Sequence, residues 1–325
     1  MTLLITLPDS PLVERLGSPP ADTDYLIWDM QSAPPTARPI GLAVMPYMAP
    51  ASTLRVVGDR AVTAVQSLSL GYDGVAEVLR SDVVFCNAKG VHEKATAEHA
   101  LALILSAQRE LGEFARAQTE PSPPWDQRFT PGLEGATVMI VGAGGVGAEL
   151  DRMLRALGLQ TIRVARTARR DADGDVHPTS ALRELAALAD IVVLAVPLDA
   201  TTRHLVDAAF LAACRPGTLI VNVARGPVVD TAALTESVRS GLIRATLDVT
   251  DPEPLPGGHP LWRLPGVTIT PHVAGRTHRM WDRAAALILD QADRLRQGLP
   301  LRNRIALHPI DASHGSAASP GEFET

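Results

Sequence analysis

The apolar residues in the first part of the chain form short runs of strand length. Turn-forming residues separate these runs, and they include the pairs Pro19–Pro20 and Pro34–Pro35. Short apolar runs bounded by such residues are typical of strands buried in a sheet. The runs cover Leu3–Leu7, Tyr25–Trp28, Ile40–Val44, Val62–Val65 and Val83–Phe85. This pattern predicts a small α/β domain at the start of the chain.

Between Glu93 and Gln118 the apolar residues recur at helical spacing, so that Ala97, Leu101 and Ile104 would lie on one face of a helix. The segment is also rich in strong helix formers. We therefore predict one long helix here, which would connect two domains. An irregular, proline-containing segment that leads to Trp125 follows it.

Strand and helix patterns alternate regularly from Thr137 onwards. A chain that alternates in this way forms a parallel sheet with helices on both faces. The predicted strands are 137–141, Thr161–Ala165, Ile191–Ala195, Thr218–Val223, Ala245–Val249 and Val267–Thr270. The predicted helices are Val146–Leu157, Ser180–Leu188, Asp207–Ala213, Thr231–Ser240 and Thr277–Gln297. We expect a doubly wound α/β domain.

The first strand of this series runs directly into a glycine-rich turn. In the spacing G-x-G-x-x-G, Gly142 permits a tight bend, Gly144 lets the backbone approach a pyrophosphate, and Gly147 lets a helix pack closely on the strand. Gly145 and Val146 would add oriented amides at the start of the helix. The spacing between a strand and a helix predicts a dinucleotide-binding turn, although glycine-rich junctions also occur for structural reasons alone.

The residues after the next predicted strand indicate which dinucleotide binds. In NAD sites an acidic residue about 20 positions beyond the turn binds the ribose hydroxyls. Here Arg166, Thr167, Arg169 and Arg170 occupy that place, and the first carboxylate is that of Asp171. A guanidinium binds the 2′-phosphate of NADP, whereas a carboxylate repels it. We predict a preference for NADP(H), with NAD(H) as the alternative cofactor and an exposed arginine-rich loop as the alternative interpretation.

Length and composition limit the class of protein. The 325 residues, 46% of them hydrophobic, suffice for two domains, and a net charge of −6 without a run of Lys or Arg argues against a nucleic-acid groove. Neither an apolar stretch of about 18 residues nor the pattern of a signal peptide is present, so we expect a cytoplasmic protein without membrane association.

Cys86 and Cys214 suggest neither a disulfide scaffold nor a metal site. The tail Asp311–Thr325 has little to bury, and we expect it to be disordered.

Polar residues follow three of the later predicted strands at their carboxyl ends. The segments are 221–226, 247–254 and 270–275. They contain Arg225, Glu253 and His272, and open α/β sheets bind ligands at this edge. Of the other histidines, His99 and His204 are interpreted as surface or capping residues.

The order of these segments, together with Val65–Asp73 and Ala97–Leu101, resembles the D-isomer-specific 2-hydroxyacid dehydrogenases from about residue 40 to residue 300. The resemblance implies an α/β architecture of two Rossmann-like domains, with a doubly wound cofactor domain inserted into a smaller, flavodoxin-like substrate domain. Residues 1–97 and 277–310 would form the substrate domain, and residues 98–276 the NADP(H)-binding domain. Family members generally form dimers through the cofactor domain, so we expect a homodimer.

The resemblance implies that Arg225, Glu253 and His272 are catalytic. Reduction of a 2-oxoacid delivers a hydride to the carbonyl carbon while the oxygen takes up a proton, and His272 would be the acid, or the base in reverse. A carboxylate beside an imidazole favours its protonated form, which is the role of Glu253. Arg225 would bind the substrate carboxylate and polarise the carbonyl. The implied cofactor contacts are Asp248, near the nicotinamide carboxamide, with Val196, Pro197, Thr202, Val223, Ala224 and Gly275.

The implied substrate contacts lie in the first domain and depart from the family's usual pattern. The family usually has Ala-Gly where this chain has Leu70 and Gly71, in the loop whose amides would receive the substrate carboxylate. Tyr47 and Met48 are interpreted either as specificity contacts or as core residues. The substrate would be a small 2-oxoacid such as glyoxylate or hydroxypyruvate, or a bulkier one held by Tyr47, Met48 and Leu70.

Two other functions share parts of this pattern. Corepressor-like proteins that sense nicotinamide nucleotides have the same fold and the same three polar residues, and turnover of 2-oxoacids with NADPH would separate them from a reductase. Formate-oxidising enzymes pair the histidine with Gln, so Glu253 argues against that reaction.

Overall fold

The computed structural model describes residues 2–8, 11–122 and 124–307. The predicted disordered tail, 311–325, lies outside these residues. The chain divides into two compact units: Lys89–Ala284 forms a continuous unit, and the chain up to Ala88 forms an interrupted unit with the chain from Ala285. The domain boundaries predicted from the sequence come after residues 97 and 276. That the interrupted unit binds the substrate and the continuous unit the cofactor stays a prediction.

The interrupted unit is built on a parallel sheet. Its strands are β1 (Leu3–Leu7), β2 (Thr23–Ile27), β3 (Ile40–Val44), β4 (Val62–Gln66) and β5 (Val84–Cys86), and helix α1 (Pro11–Leu16) follows β1. The strand order is β2-β1-β3-β4-β5, and adjacent strands run parallel. This is the order of flavodoxin-like folds. Leu4, Ile40, Val65 and Phe85 are buried in its core.

The continuous unit is a doubly wound domain. Its helices are α2 (Glu93–Gln108), α3 (Leu111–Ala117), α4 (Gly145–Ala156), α5 (Leu182–Ala186), α6 (Ala208–Ala213) and α7 (Thr231–Arg239). Its strands are β6 (Thr137–Val141), β7 (Gln160–Ala165), β8 (Arg169–Asp171), β9 (Gly174–Pro178), β10 (Ile191–Leu194), β11 (Thr218–Asn222), β12 (Ile243–Leu247) and β13 (Val267–Ile269). The order β13-β12-β11-β10-β6-β7-β9-β8 places the topological switch between β10 and β6.

Side chains alternate between the two faces of this sheet because successive strand residues point to opposite sides. Val138 and Ile140 of β6 are buried in a cluster that includes Leu150 of α4. Met139 and Val141 are buried in a second cluster on the other face. A central strand that is apolar on both faces is typical of a parallel sheet covered by helices on both sides.

Helix α8 (Arg279–Gln297) contains the point at which the chain returns to the interrupted unit. Ala284, Ile288 and Ala292 are buried at intervals of one helical turn, as an amphipathic helix requires. None of the described helices, α8 included, combines the length and the apolar character that crossing a bilayer requires.

The prediction of one helix from Glu93 to Gln118 is wrong. Helix α2 ends at Gln108, and Glu110 adopts a left-handed conformation with φ of 52° before α3 begins. Gln108 is buried, and its Nε2 donates to the carbonyl oxygen of Gly132 over 2.9 Å. This side-chain anchor fixes the end of α2, which helical periodicity alone does not reveal.

The predicted parallel sheet carries one antiparallel element, at its edge. Strands β8 and β9 form an antiparallel hairpin. The hairpin is tied to β7 because both guanidinium ends of Arg163 bind the Asp171 carboxylate, at 3.0 and 2.7 Å. The side chain of Arg163 is only 5% exposed, whereas that of Asp171 is 34% exposed, so a buried guanidinium holds a carboxylate at the surface.

Candidate active site

The glycine turn lies between β6 and α4. Gly142 follows the strand with φ of 113°, and α4 begins at Gly145. A Cβ atom on Gly147 would overlap the carbonyl oxygen of Gly142, so only glycine fits where the helix meets the strand. A Cβ atom on Gly144 would project into open space, with no heavy atom within 4 Å. Helix α4 begins at Gly145 and Val146, and the first amides of a helix are the groups that can bind an anion.

The candidate residues that follow β7 are Arg166, Thr167, Arg169 and Arg170. Arg169 donates from Nη2 to the carbonyl oxygen of Ala143, in the glycine turn, over 3.2 Å. Arg166 forms an ion pair with Asp199, with 2.6 Å between Nη2 and Oδ2. Arg170 forms an exposed ion pair within the β8–β9 hairpin. The structure thus brings Arg169 to the turn and Arg166 to the loop after β10.

The loop after β10 contains the candidates Val196, Pro197 and Thr202. The hydroxyl of Thr202 donates to the carbonyl oxygen of Pro197 over 2.7 Å and accepts from the amide of Asp199 over 2.8 Å. Oδ1 of Asp199 accepts from the amides of Thr201 and Thr202. These bonds close the loop on itself and fix the carboxylate that Arg166 contacts.

Arg225 is held by hydrogen bonds at the end of β11. Asn222, the last residue of the strand, accepts from the amide of Ala224 and donates to the carbonyl oxygen of Arg225, each over 3.0 Å. Val223 and Ala224 are buried. Nη1 of Arg225 donates to the carbonyl oxygen of Ala224 over 2.8 Å. The amide side chain of Asn222 therefore fixes the backbone from which the guanidinium extends.

The loop of Arg225 is packed against the loop after β12. A Cβ atom on Gly226 would overlap the carbonyl oxygen of Thr250, so the two backbones are in direct contact. The hydroxyl of Thr231 also donates to the carbonyl oxygen of Asp251 over 2.8 Å. The loop that leads to Glu253 is thus attached to the loop of Arg225.

Glu253 and His272 are brought together by the loops after β12 and β13. Nδ1 of His272 lies 2.5 Å from Oε1 of Glu253, and the side chains are 27% and 41% exposed. Partial burial raises the pKa of Glu253, but the hydrogen bond and charge of His272, a backbone bond at Thr250 and the charge of Arg225 outweigh it. The pKa of Glu253 is therefore lower than its ordinary value, and the carboxylate is ionised at neutral pH.

Asp248 holds the backbone on both sides of His272. Its carbonyl oxygen accepts from the amide of His272 over 2.8 Å. Its carboxylate accepts from the amides of Val273 and Ala274 over 2.9 and 3.0 Å, and from the hydroxyl of Thr270 over 2.6 Å. His272 has φ of 52°, a conformation that costs free energy for a residue other than glycine and persists only when its surroundings enforce it. The predicted contact of Asp248 with a carboxamide stays a prediction.

The interpretation of His99 as a surface or capping residue is wrong. Its side chain is 23% exposed, and Nε2 lies 3.0 Å from Oγ1 of Thr270 and 3.4 Å from Oδ1 of Asp248. His204, by contrast, is exposed as interpreted. Helical spacing could not identify His99, because its partner Thr270 lies 171 positions away in the sequence. The one feature of the sequence that draws attention to His99 is its place in the segment 97–101, which contributes to the family resemblance.

The remaining candidates divide between the two units. The carbonyl oxygen of Gly275 lies 3.4 Å from Nδ1 of His92. The substrate candidates belong to the interrupted unit and are Tyr47, Met48, Leu70 and Gly71. Met48 has φ of 62°, and the carbonyl oxygen of Leu70 accepts from Nδ2 of Asn87 over 2.9 Å. The role of these residues in substrate binding stays a prediction.

A glycine turn at a topological switch, with polar loops at the carboxyl ends of neighbouring strands, defines the class of dinucleotide-binding α/β enzymes. A model of the D-isomer specific 2-hydroxyacid dehydrogenase NAD binding domain matches residues 101–274. The chain belongs to the D-isomer specific 2-hydroxyacid dehydrogenases. This confirms the predicted fold, family and enzyme class, and the residues that the family model matches lie within the continuous unit.

Relatives with named activities support the same assignment. The chain is 35% identical over 238 residues to (S)-sulfolactate dehydrogenase of Chromohalobacter salexigens, which covers 71% of this chain and 76% of that protein. It is 32% identical over 251 residues to glyoxylate reductase of Pyrococcus furiosus, with 73% and 71% covered. A D-isomer specific 2-hydroxyacid dehydrogenase from Xanthobacter autotrophicus Py2, solved in complex with NADPH and MES, has a TM-score of 0.78 at 28% identity, with 94% of this chain and 98% of that chain covered.

The hydrogen bonds of Asp248 predict an acid-dependent loss of stability. Burial raises the pKa of Asp248, but hydrogen bonds from His99, Thr270, Val273 and Ala274 outweigh it and lower the pKa from 3.8 to about 2. Because the pKa is depressed in the folded state, the stabilisation is complete above pH 3.8 and is lost as the pH falls through about 2.

We expect the difference in free energy of unfolding between the wild type and Asp248→Asn to shrink by about 2 kcal/mol between roughly pH 4 and pH 2. Denaturant unfolding at a series of pH values measures this difference. A difference that stays constant over the range would show that the carboxylate is not held in its charged form.

Proposed function

We propose that this protein reduces a small 2-oxoacid to the D-2-hydroxyacid, with NADPH as the hydride donor. The observation that carries the proposal is the 2.5 Å hydrogen bond between His272 and Glu253, in loops packed next to that of Arg225. Carbonyl reduction needs a proton for the oxygen and a cation for the substrate carboxylate. The three side chains meet both needs at one edge of the sheet.

His272 would transfer the proton. Since Nδ1 faces the carboxylate of Glu253, Nε2 is the atom that donates to the carbonyl oxygen in reduction and accepts the proton in oxidation. Glu253 stabilises the imidazolium before transfer, and its depressed pKa keeps it ionised. Arg225 would hold the substrate carboxylate with parallel N–H donors and so orient the carbonyl carbon.

The residues of the glycine turn fit a dinucleotide, because the position of a Cβ on Gly144 is open and the amides at the start of α4 lie beside it. A bound nicotinamide cofactor supplies the hydride. Gly144 would let the backbone approach the pyrophosphate, while Gly142 permits the tight bend and Gly147 the close packing of α4 on the strand.

Arg166 and Arg169 support the preference for NADP(H). Both guanidinium groups belong to the segment after β7, which corresponds to the segment that binds the adenosine ribose in dinucleotide-binding folds. Arg169 contacts Ala143 in the turn, and Arg166 has donors besides the Nη2 atom that contacts Asp199. The Xanthobacter autotrophicus relative in complex with NADPH is consistent with this proposal.

Glyoxylate and hydroxypyruvate are the substrates that we propose. The glyoxylate reductase of Pyrococcus furiosus and the (S)-sulfolactate dehydrogenase of Chromohalobacter salexigens both act, by name, on small 2-oxoacids or 2-hydroxyacids. Leu70, Tyr47 and Met48 would set the upper limit of substrate size.

We also propose a homodimer in the cytoplasm. Trp125 and Phe129 are 91% and 103% exposed, and aromatic residues are enriched in surfaces that bind another chain. Light scattering coupled to size-exclusion chromatography measures the mass directly, and a monomer at micromolar concentration would contradict the dimer.

A panel of 2-oxoacids of increasing size, each assayed with NADPH and with NADH, tests the activity. We expect turnover of glyoxylate or hydroxypyruvate with NADPH, and a loss of kcat of at least about 100-fold in His272→Asn because the proton donor is removed. NADPH affinity, measured by fluorescence, should be unchanged in this variant.

Two outcomes would contradict the proposal. Binding of NADPH without turnover of any 2-oxoacid would favour the nucleotide-sensing function. A His272→Asn variant that retains most of its kcat would exclude His272 as the acid.

Exchange of Arg166 tests the cofactor preference. We expect Arg166→Ala to raise the KM for NADPH by about 10-fold or more, since a charge-assisted pair with a phosphate is lost, while the KM for NADH changes little. Arg183→Ala is the matched control, because Arg183 is exposed and forms a similar ion pair, with Asp207, in the same unit. Equal effects on both cofactors, or a wild type that uses NADH at least as well as NADPH, would refute the preference.

A further inference from the structure

We infer that His99 is a positioning residue for the proposed reaction, and that it acts on His272 through Thr270 and Asp248. The inference rests on the proposed role of His272 as the proton donor. His99 belongs to α2, whereas Thr270 and His272 belong to the segment after β13. The contacts of His99 therefore connect a helix to the loop that carries the acid.

The hydrogen bonds between these residues have a definite direction. The hydroxyl of Thr270 donates to Oδ1 of Asp248 over 2.6 Å, because an ionised carboxylate can only accept. The same hydroxyl must then accept at the 3.0 Å contact with Nε2 of His99. Nε2 of His99 therefore carries a proton, and at 3.4 Å from Oδ1 of Asp248 it also contributes a favourable dipole or charge.

The carboxylate of Asp248 passes this constraint to the backbone around His272. The side chain of Asp248 is 1% exposed, so its charge depends on protein donors rather than on water. Two of these donors are the amides of Val273 and Ala274, directly after His272. A carboxylate that rotates or shifts would release those amides, and the left-handed backbone of His272 would lose its support.

His99 is the outermost member of this chain of contacts. It is 23% exposed, whereas Asp248 is fully buried, so its replacement leaves less of a cavity and disturbs less packing. Loss of its N–H removes a donor from Thr270 and Asp248 without touching Glu253 or the glycine turn. The expected effect is a small displacement of His272, and displacements of about 1 Å reduce catalysis by about 100-fold.

A pair of variants separates positioning from a structural role. His99→Gln retains a donor in the place of Nε2, whereas His99→Leu has similar bulk and no donor. We expect His99→Leu to lower kcat by about 10- to 100-fold and to increase the solvent deuterium isotope effect on kcat, because proton transfer by a displaced His272 becomes slower. His99→Gln should recover most of the wild-type kcat.

Affinity for NADPH and thermal stability provide the readouts of fold. For His99→Leu we expect a dissociation constant for NADPH within about twofold of the wild type and a small change in Tm. A parallel loss of kcat, NADPH affinity and Tm would show a structural role and overturn the inference, and so would an unchanged kcat in a folded His99→Leu variant.

Thr270 supplies an independent test of the same chain of contacts. Thr270→Val removes the hydroxyl and retains the shape, and Thr270→Ser retains the hydroxyl. We expect Thr270→Val to lower kcat, and the double variant with His99→Leu to be no worse than the more affected single variant, since both act through Asp248. Additive losses would overturn the inference.

The His272→Asn variant separates failure of the proposed function from failure of this inference. If His272→Asn remains active, the proposed function fails. If His272→Asn is inactive and the His99 and Thr270 variants remain active, this inference alone fails.

Discussion

The buried carboxylate of Asp248 is the constraint on which the candidate active site depends. A charge removed from water costs several kcal/mol unless protein donors replace the solvent. The donors here come from the segment after β13 and from α2. Because one charge requires partners from both places, satisfying it orders the backbone of His272 and attaches a distant helix to that loop.

The site also depends on the parallel sheet, which brings distant parts of the sequence to one edge. Strands β11, β12 and β13 are neighbours in the sheet and consecutive in the chain, so the loops that follow them emerge side by side. Gly226 then allows the first loop to contact the second at Thr250, and the bond between Glu253 and His272 joins the second loop to the third. Regular topology brings the loops near each other, and specific contacts determine the final geometry.

Much of this could be predicted from the sequence, because the information was local. Strand endings mark where Arg225, Glu253 and His272 must lie, and the glycine spacing marks the turn before α4. The partner of His99 could not be predicted, because a single histidine on a helix carries no information about a threonine 171 positions later. The break after Gln108 also depends on a tertiary contact, with the carbonyl oxygen of Gly132.

The hairpin of β8 and β9 escaped prediction for a different reason. Its sequence is polar and charged, and strands without an apolar face have no alternating pattern to detect. What stabilises it is the bidentate ion pair of Arg163 with Asp171 and the sheet bonds to β7.

The burial of Arg163 has a consequence for how the segment after β7 can change. The guanidinium of Arg163 is inside the protein, whereas those of Arg166 and Arg170 are 72% and 78% exposed. Anchoring of the hairpin and the proposed contact with the cofactor therefore belong to different side chains of one short segment. Such a separation allows the exposed arginines to be exchanged, in evolution or in the laboratory, while the inner pair keeps the hairpin in place.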